Sequence, residues 1–319
     1  MMIDLGHADT TSHPAGQPDP FSAVHRFSHQ AMATVFEVFC VHPDREYARQ
    51  AAWAAFDLVD RLEQDLSRFI ENSDVSRINS LTGGESVRVS RWTMECLLIS
   101  RLAYIETSRA FDISLGSGLD GLELSSRNLL VHANASAIRL DLGGIGKGYA
   151  VDRAADVLLD WGVNEAFIHG GCSSVLALDP PSGSDGWPLT MSRFDGAEYD
   201  AFALMRARRR VFSASGLRRR EHIFDARSKQ PRRLRAAAWA SAEVDALAGF
   251  CRKAPKFGGI DGPVSESPAA VTEAFSTAFM MLSPSEIENC CLGYPGLEAW
   301  LIDTGPNDTG ETPYVMHLP

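Results

Sequence analysis

Leu140-Asp-Leu-Gly-Gly-Ile-Gly-Lys-Gly-Tyr-Ala-Val-Asp152 is the stretch on which the reading of this chain turns. It predicts a strand over Ile138 to Leu142, a turn made of Gly143, Gly144, Gly146 and Gly148, and a helix from about Tyr149 to Trp161 that Gly162 stops. Strand, glycines and helix start are the parts of a phosphate site, because glycines let backbone N–H groups approach an anion and a helix N-terminus favours negative charge. Two common versions fail. A P-loop requires Ser or Thr after its lysine, and Gly148 follows Lys147; a Rossmann fingerprint requires a third glycine where Tyr149 stands. Read alone, the turn is either a phosphate cradle or a purely structural corner.

Outward from this turn, helices are interspersed with short strands. Val35 to Val41 predicts a strand, and Asp44 caps a helix whose apolar stripe is Ala48, Ala52, Phe56, Val59, Leu62 and Leu66. A second helix starts at Ser90 and ends near Arg109. Ala166 to His169 reads as a strand running into Gly170 and Gly171, followed by β-prone runs near 173–178, 187–192, 200–205 and 210–214. Ser267 and Pro268 read as N-cap and first residue of a helix reaching Met281, and Leu297 to Ile302 as a closing strand. The class is therefore α+β, with mixed or antiparallel sheets packed against helices. The organisation expected is a tail over 1–22, one domain over 23–305 with an inserted loop at about 244–268, and a tail over 306–319.

A length of 319 residues with 45% hydrophobic content predicts an enzyme-sized globular fold, and no apolar run approaches the roughly 18 residues that cross a bilayer. The six cysteines (Cys40, Cys96, Cys172, Cys251, Cys290, Cys291) form no C-x-x-C pair, which excludes a zinc knuckle and a disulfide framework. That usage, and the lack of a signal-like start, point to the cytoplasm. The net charge of −11 conceals a basic stretch: residues 206–235 hold twelve of the thirty Lys and Arg and two acids, Glu221 and Asp225. Without interleaved aromatics it is not a nucleic-acid surface; it reads as a solvated face or a receiver for an anionic ligand or acidic partner.

Several further segments, together with the glycine turn, resemble in order those of the ApbE-type FAD:protein FMN transferases. Ala31-Met-Ala-Thr34 is similar to the family's M-G-T, and Leu66-Ser-Arg-Phe-Ile-Glu-Asn-Ser-Asp-Val-Ser-Arg-Ile-Asn79 to its S-x-Y…N segment. Ala110-Phe-Asp112 resembles its x-F-D, Gly170-Gly171 its I-G-G, Ser215-Gly216 its S-G, and His222-Ile-Phe-Asp225 its H-I-I-D-P. The resemblance runs from about 25 to 303 and implies that FAD is a substrate, Mg²⁺ a cofactor, and a Thr or Ser hydroxyl of a partner flavoprotein the acceptor of FMN. It implies a metal held by Gly144 through its carbonyl with Glu273 and Thr277, and flavin contacts from Met32, Phe69, Ala110, Phe111, Asp112, Asp141, Lys147 and Ile223. It places His222 as the base that takes the acceptor's proton, which suits an imidazole whose ordinary value lies near neutrality; Asp225 either orients it or supports the loop.

The residues allow blander readings beside these. Glu273 and Thr277 stand one helical turn apart and share a face, where a carboxylate at an open cleft and a hydroxyl bonded back to its own helix are the alternatives to a metal site. Asp112 also reads as a cap at the end of a strand, and His169 as a further candidate for the site wall. Glu273 stands where the family has Asp, and Phe69 where it has Tyr. Two other functions use the same parts: an FAD pyrophosphatase releasing FMN and AMP, and a flavin-binding protein without chemistry.

Overall fold

A computed structural model describes residues 19–194, 199–216, 224–225, 227, 230–231, 235–252, 265–303 and 315–319. The chain enters through strand β1 (Val24–Ala31), turns at Met32 and Ala33, and returns as β2 (Thr34–Val41). Both turn residues have positive φ, 51° and 55°, the backbone of a two-residue turn that normally takes Asn-Gly. Ala33→Gly is therefore expected to stabilise the protein by about 1 kcal/mol. Thermal unfolding checks this, and an unchanged midpoint would mean that the turn relaxes without strain.

After β2 the expected caps appear. Asp44 accepts from the N–H groups of Glu46 and Tyr47 and opens α1 (Arg45–Leu66), whose predicted stripe is buried. The short α2 (Asp74–Asn79) and β3 (Ser86–Arg88) lead to α3 (Arg91–Glu106), capped by Ser90. Next come β4 (Leu122–Ser125), β5 (Leu130–Ala133) and α4 (Gly146–Asp160), which ends with Gly162 at φ 74°. The chain continues through β6 (Ala166–Gly170), β7 (Ser174–Ala177), the hairpin β8 (Trp187–Phe194) and β9 (Tyr199–Ala207), and β10 (Arg210–Gly216). A small hairpin of β11 (Phe224–Asp225) and β12 (Gln230–Pro231) precedes β13 (Arg235–Glu243). The last elements are α5 (Ala248–Arg252), α6 (Pro268–Phe279), α7 (Pro284–Gly293), β14 (Leu297–Asp303) and β15 (Val315–Leu318).

The main sheet has the order β1-β2-β6-β7-β10-β13-β14-β15, and its ladders are all antiparallel. Alternation along its strands divides two cores. Phe36, Val38, Ile168, Leu176 and Val211 join the helices in the large cluster, whereas Phe39, Phe167, Val175 and Phe212 meet Trp187 and Leu189 of the β8–β9 hairpin. The α+β class holds.

Several elements differ from expectation. Ile138 to Leu142 joins no ladder. Its backbone is served by other partners: Asn79 donates to the Leu140 carbonyl at 3.0 Å and accepts from its N–H at 2.6 Å, and the Asp141 N–H donates to the Ile113 carbonyl at 2.8 Å. Periodicity cannot distinguish that from a strand. Helix α4 starts three residues earlier than the glycines suggest, and α6 stops at Phe279. Within the stretch expected as an inserted loop, Val244–Leu247 is a 3-10 turn and α5 follows it. Val315–Leu318, in the stretch expected as a tail, pairs with β14.

Candidate functional site

Helix α6 is apolar and almost wholly buried, so its ends cannot be left to water. At the N-terminus the Ser267 side chain makes no capping bond; Asp152 of α4 serves instead, accepting from Ala269 N–H and Ala270 N–H at 2.9 Å each. Burial raises the Asp152 carboxyl to about 7, against the pull of Arg153 and the two backbone donors. At the other end Arg235 donates to the carbonyls of Phe279 and Leu282, and Arg227 to that of Met281 at 3.1 Å. Anion at the start and cations at the end match the helix dipole. This also gives a role to part of the basic stretch, since Arg208, Arg209 and Arg210 pair with Asp179, Asp245 and Glu298.

The glycine turn is built around Asp141 and Lys147. Asp141 accepts from Gly143 N–H at 2.8 Å with one oxygen and pairs with Arg68 at 3.0 Å with the other. Lys147, in the first turn of α4, reaches back to the Gly143 carbonyl at 3.1 Å and across to the Glu273 carboxylate. The second Glu273 oxygen accepts from Gly148 N–H at 2.6 Å. Ile145 precedes α4 and offers no cap, so Glu273 fills that role from α6.

Glu273 was expected at an open cleft, and the structure corrects this: it is 4% exposed and both its oxygens are engaged. Thr277 donates back to the Glu273 carbonyl at 3.0 Å, as the blander reading has it, and its oxygen also lies 3.2 Å from Ser215 Oγ. A Cβ on Gly144 would sit 3.3 Å from Thr277 Oγ1 and 3.2 Å from the Phe111 ring, so the turn lies against both. Gly144, Glu273 and Thr277 thus come to one place, with Lys147 among them. Among the described residues no group of three or more His, Cys, Asp or Glu side chains could hold a metal. The donor set present fits Mg²⁺ in kind, because carboxylate, hydroxyl and peptide carbonyl are hard oxygen ligands and a carboxylate has about four acceptor positions, of which Lys147 and Gly148 use two.

The residues expected to meet flavin divide in character. Phe69 is 82% exposed, and the Arg68 guanidinium lies over its ring at 4.4 Å. Met32 is half-buried against the large core at the β1–β2 turn. Ala110 and Phe111 are buried, Phe111 as the wall behind Gly144. Asp112 organises its own loop, accepting from Ser114 N–H and Oγ and from Gly116 N–H, and it ends no strand. His222, Ile223 and the side chain of Asp225 lie outside the described residues, although the Asp225 backbone ends β11. His169 faces the hairpin side with Phe39 and Phe167, bonded to Glu37 at 2.9 Å, and burial holds it below its ordinary value. It lies on the sheet face away from α4 and α6.

Three residues were not singled out from sequence. Arg68 adjoins Phe69, Ser215 lies in the quoted Ser-Gly pair, and Asp152 ends the quoted turn segment. Only proximity to a motif marks them; their partners are remote in sequence.

An antiparallel sheet covered by helices, with a glycine turn backed by a Lys–Glu pair, defines an α+β protein. The chain belongs to the ApbE family, which matches residues 32–127 and 117–251. No curated protein matches it. Among solved structures it is similar to the flavin transferase ApbE from Vibrio cholerae, with a TM-score of 0.72 at 14% identity over 92% of this chain and 97% of that one. Similar too are the flavinyl transferase ApbE from Pseudomonas stutzeri (TM-score 0.72, 20% identity, 92% and 94% covered) and the ApbE protein from Thermotoga maritima (0.73, 20%, 92% and 97%). At these identities the likeness is one of fold.

Proposed function

We propose that this protein is an Mg²⁺-dependent FAD:protein FMN transferase acting on a Thr or Ser hydroxyl of a flavoprotein acceptor. The observation that carries the reading is the convergence of Lys147, Glu273, Thr277 and Gly144 at the start of α4, where backbone N–H groups and a lysine meet a donor set for a hard cation. Glu273, Thr277 and the Gly144 carbonyl would hold Mg²⁺, whose contribution when bound is to offset charge on the pyrophosphate and the departing adenylate. Lys147 neutralises phosphate oxygens. His222 takes the proton of the acceptor hydroxyl, whose oxygen bonds to the FMN phosphorus as the bond from that phosphorus to the bridging oxygen breaks. AMP leaves with the bridging oxygen and its electron pair.

The exposed ring of Phe69 offers one face to a flat ligand while Arg68 covers it from the side seen here. Phe69→Ala is expected to weaken FAD binding about fivefold, the worth of one aromatic stacking contact. Isothermal titration measures it, and an unaltered affinity would remove Phe69 from the site. A cytoplasmic location is part of the same proposal; all six cysteines are free thiols, and no helix among the described residues is long and apolar enough to cross a membrane. Incubation with FAD, Mg²⁺ and an acceptor bearing the target Thr should give a covalently flavinylated, fluorescent product. Free FMN and AMP would indicate a pyrophosphatase. Tight binding without cleavage at any Mg²⁺ concentration would indicate a binding protein.

A further inference from the structure

Helices α4 and α6 cap one another. They are in close contact at Gly148 and Ala269, where a Cβ on the glycine would lie 2.3 Å from the Ala269 carbonyl oxygen. One helical turn beyond Gly148 stands Asp152, which reaches back to the first N–H groups of α6. One turn beyond Ala269 stands Glu273, which reaches back to Gly148 N–H in the first turn of α4. Neither helix has a capping side chain of its own: Ile145 has no acceptor, and Ser267 bonds to the Ser265 carbonyl instead. The two carboxylates thus play corresponding roles, Asp152 serving two N–H groups of α6 and Glu273 one N–H of α4 together with the Lys147 ammonium.

We infer that Asp152 is a positioning residue: by holding the start of α6 it sets the height at which Glu273 meets Gly148 and Lys147, and so keeps Thr277 opposite the glycine turn. Asp152 is 2% exposed, and its two carboxylate oxygens accept from the start of α6, so its side chain bears on the glycine turn through α6. The alternative is an ordinary cap whose loss lowers stability everywhere alike. A cap of that kind has no reason to govern an N–H on the other helix.

Asp152→Asn distinguishes them, since an amide accepts at one oxygen only and confronts the second backbone N–H with a donor. Hydrogen exchange at the Gly148 amide is expected to quicken about tenfold more than exchange at core amides of β6, because its Glu273 partner is displaced while the core is not. The use of FAD as probe rests on the function proposed above; there KM for FAD should rise about tenfold with kcat changed less than threefold, the split of a binding element moved rather than a reacting group removed. Should the Asn variant not fold, Asp152→Ser, which can still serve one N–H, is measured in the same way. Uniform quickening across the core, or local opening at Gly148 with unchanged KM, would overturn the inference. A wild-type protein that neither binds nor cleaves FAD, with the Gly148 effect present, would instead overturn the proposed function and leave the helix clamp standing.

Discussion

Glu273→Ala is expected to cost about 3 kcal/mol of stability and to lower FAD turnover at least about a hundredfold. The first effect follows from burial. The carboxylate is 4% exposed, and removing it strands the Lys147 ammonium and the Gly148 N–H in the same enclosed place. Lys147 keeps 24% of its side chain in solvent, which holds the expected loss to the lower end of the range for a broken buried pair. Urea denaturation reads it. Glu273→Gln separates the two consequences: its amide oxygen still accepts from Gly148, so part of the stability remains, while its NH2 confronts the Lys147 ammonium, which loses its counter-charge, and the proposed Mg²⁺ ligand becomes neutral. Glu273→Asp is shorter by one methylene and withdraws from Gly148; stability between wild type and Ala is expected, with weakened Mg²⁺ dependence. If Glu273→Ala leaves both the denaturation midpoint and the Mg²⁺ dependence unchanged, the carboxylate is neither cap nor ligand.

Why the sequence put Glu273 at an open cleft is a matter of range. Caps and stripes are local: Asp44 and Ser90 can be identified because their partners lie two or three residues away. Strands β6 to β10 and β14 were legible for the same reason, each being a short β-prone run, whereas β13 in the middle of the sheet and β15 at its edge were not marked. The burial of α6 is not local. Thr272, Glu273 and Ser276 look like a polar face, yet Thr272 meets Ser213, Ser276 meets Ser215, and Glu273 meets α4. A polar stripe that bonds to another element reads like one that bonds to water. Ile138 to Leu142 misled from the opposite direction: a backbone served by the Asn79 side chain reads like one served by a neighbouring strand. Arg68 and Asp152 went unmarked because their partners, Asp141 and the start of α6, are distant along the chain.

Gly148→Ala is expected to destabilise the protein by about 3 kcal/mol or more, although helix propensity alone predicts a gain of about 1 kcal/mol for the same change. Sterics decide it. The added Cβ would lie 2.3 Å from the Ala269 carbonyl oxygen, 2.6 Å from its carbon and 2.8 Å from the Ala270 nitrogen. These are backbone atoms that no rotamer change can move, so α4 and α6 must separate. Separation would lengthen the Glu273 bond to Gly148 and the Asp152 bonds to Ala269 and Ala270 together, and FAD affinity should fall with stability. Gly146→Ala is the matched control: a Cβ there meets no atom within 4 Å, and the change should leave stability equal or higher by about 0.5 kcal/mol. Denaturation midpoints of the two variants make the comparison, and equal effects would show that the turn needs glycine for its backbone and not for the helix crossing.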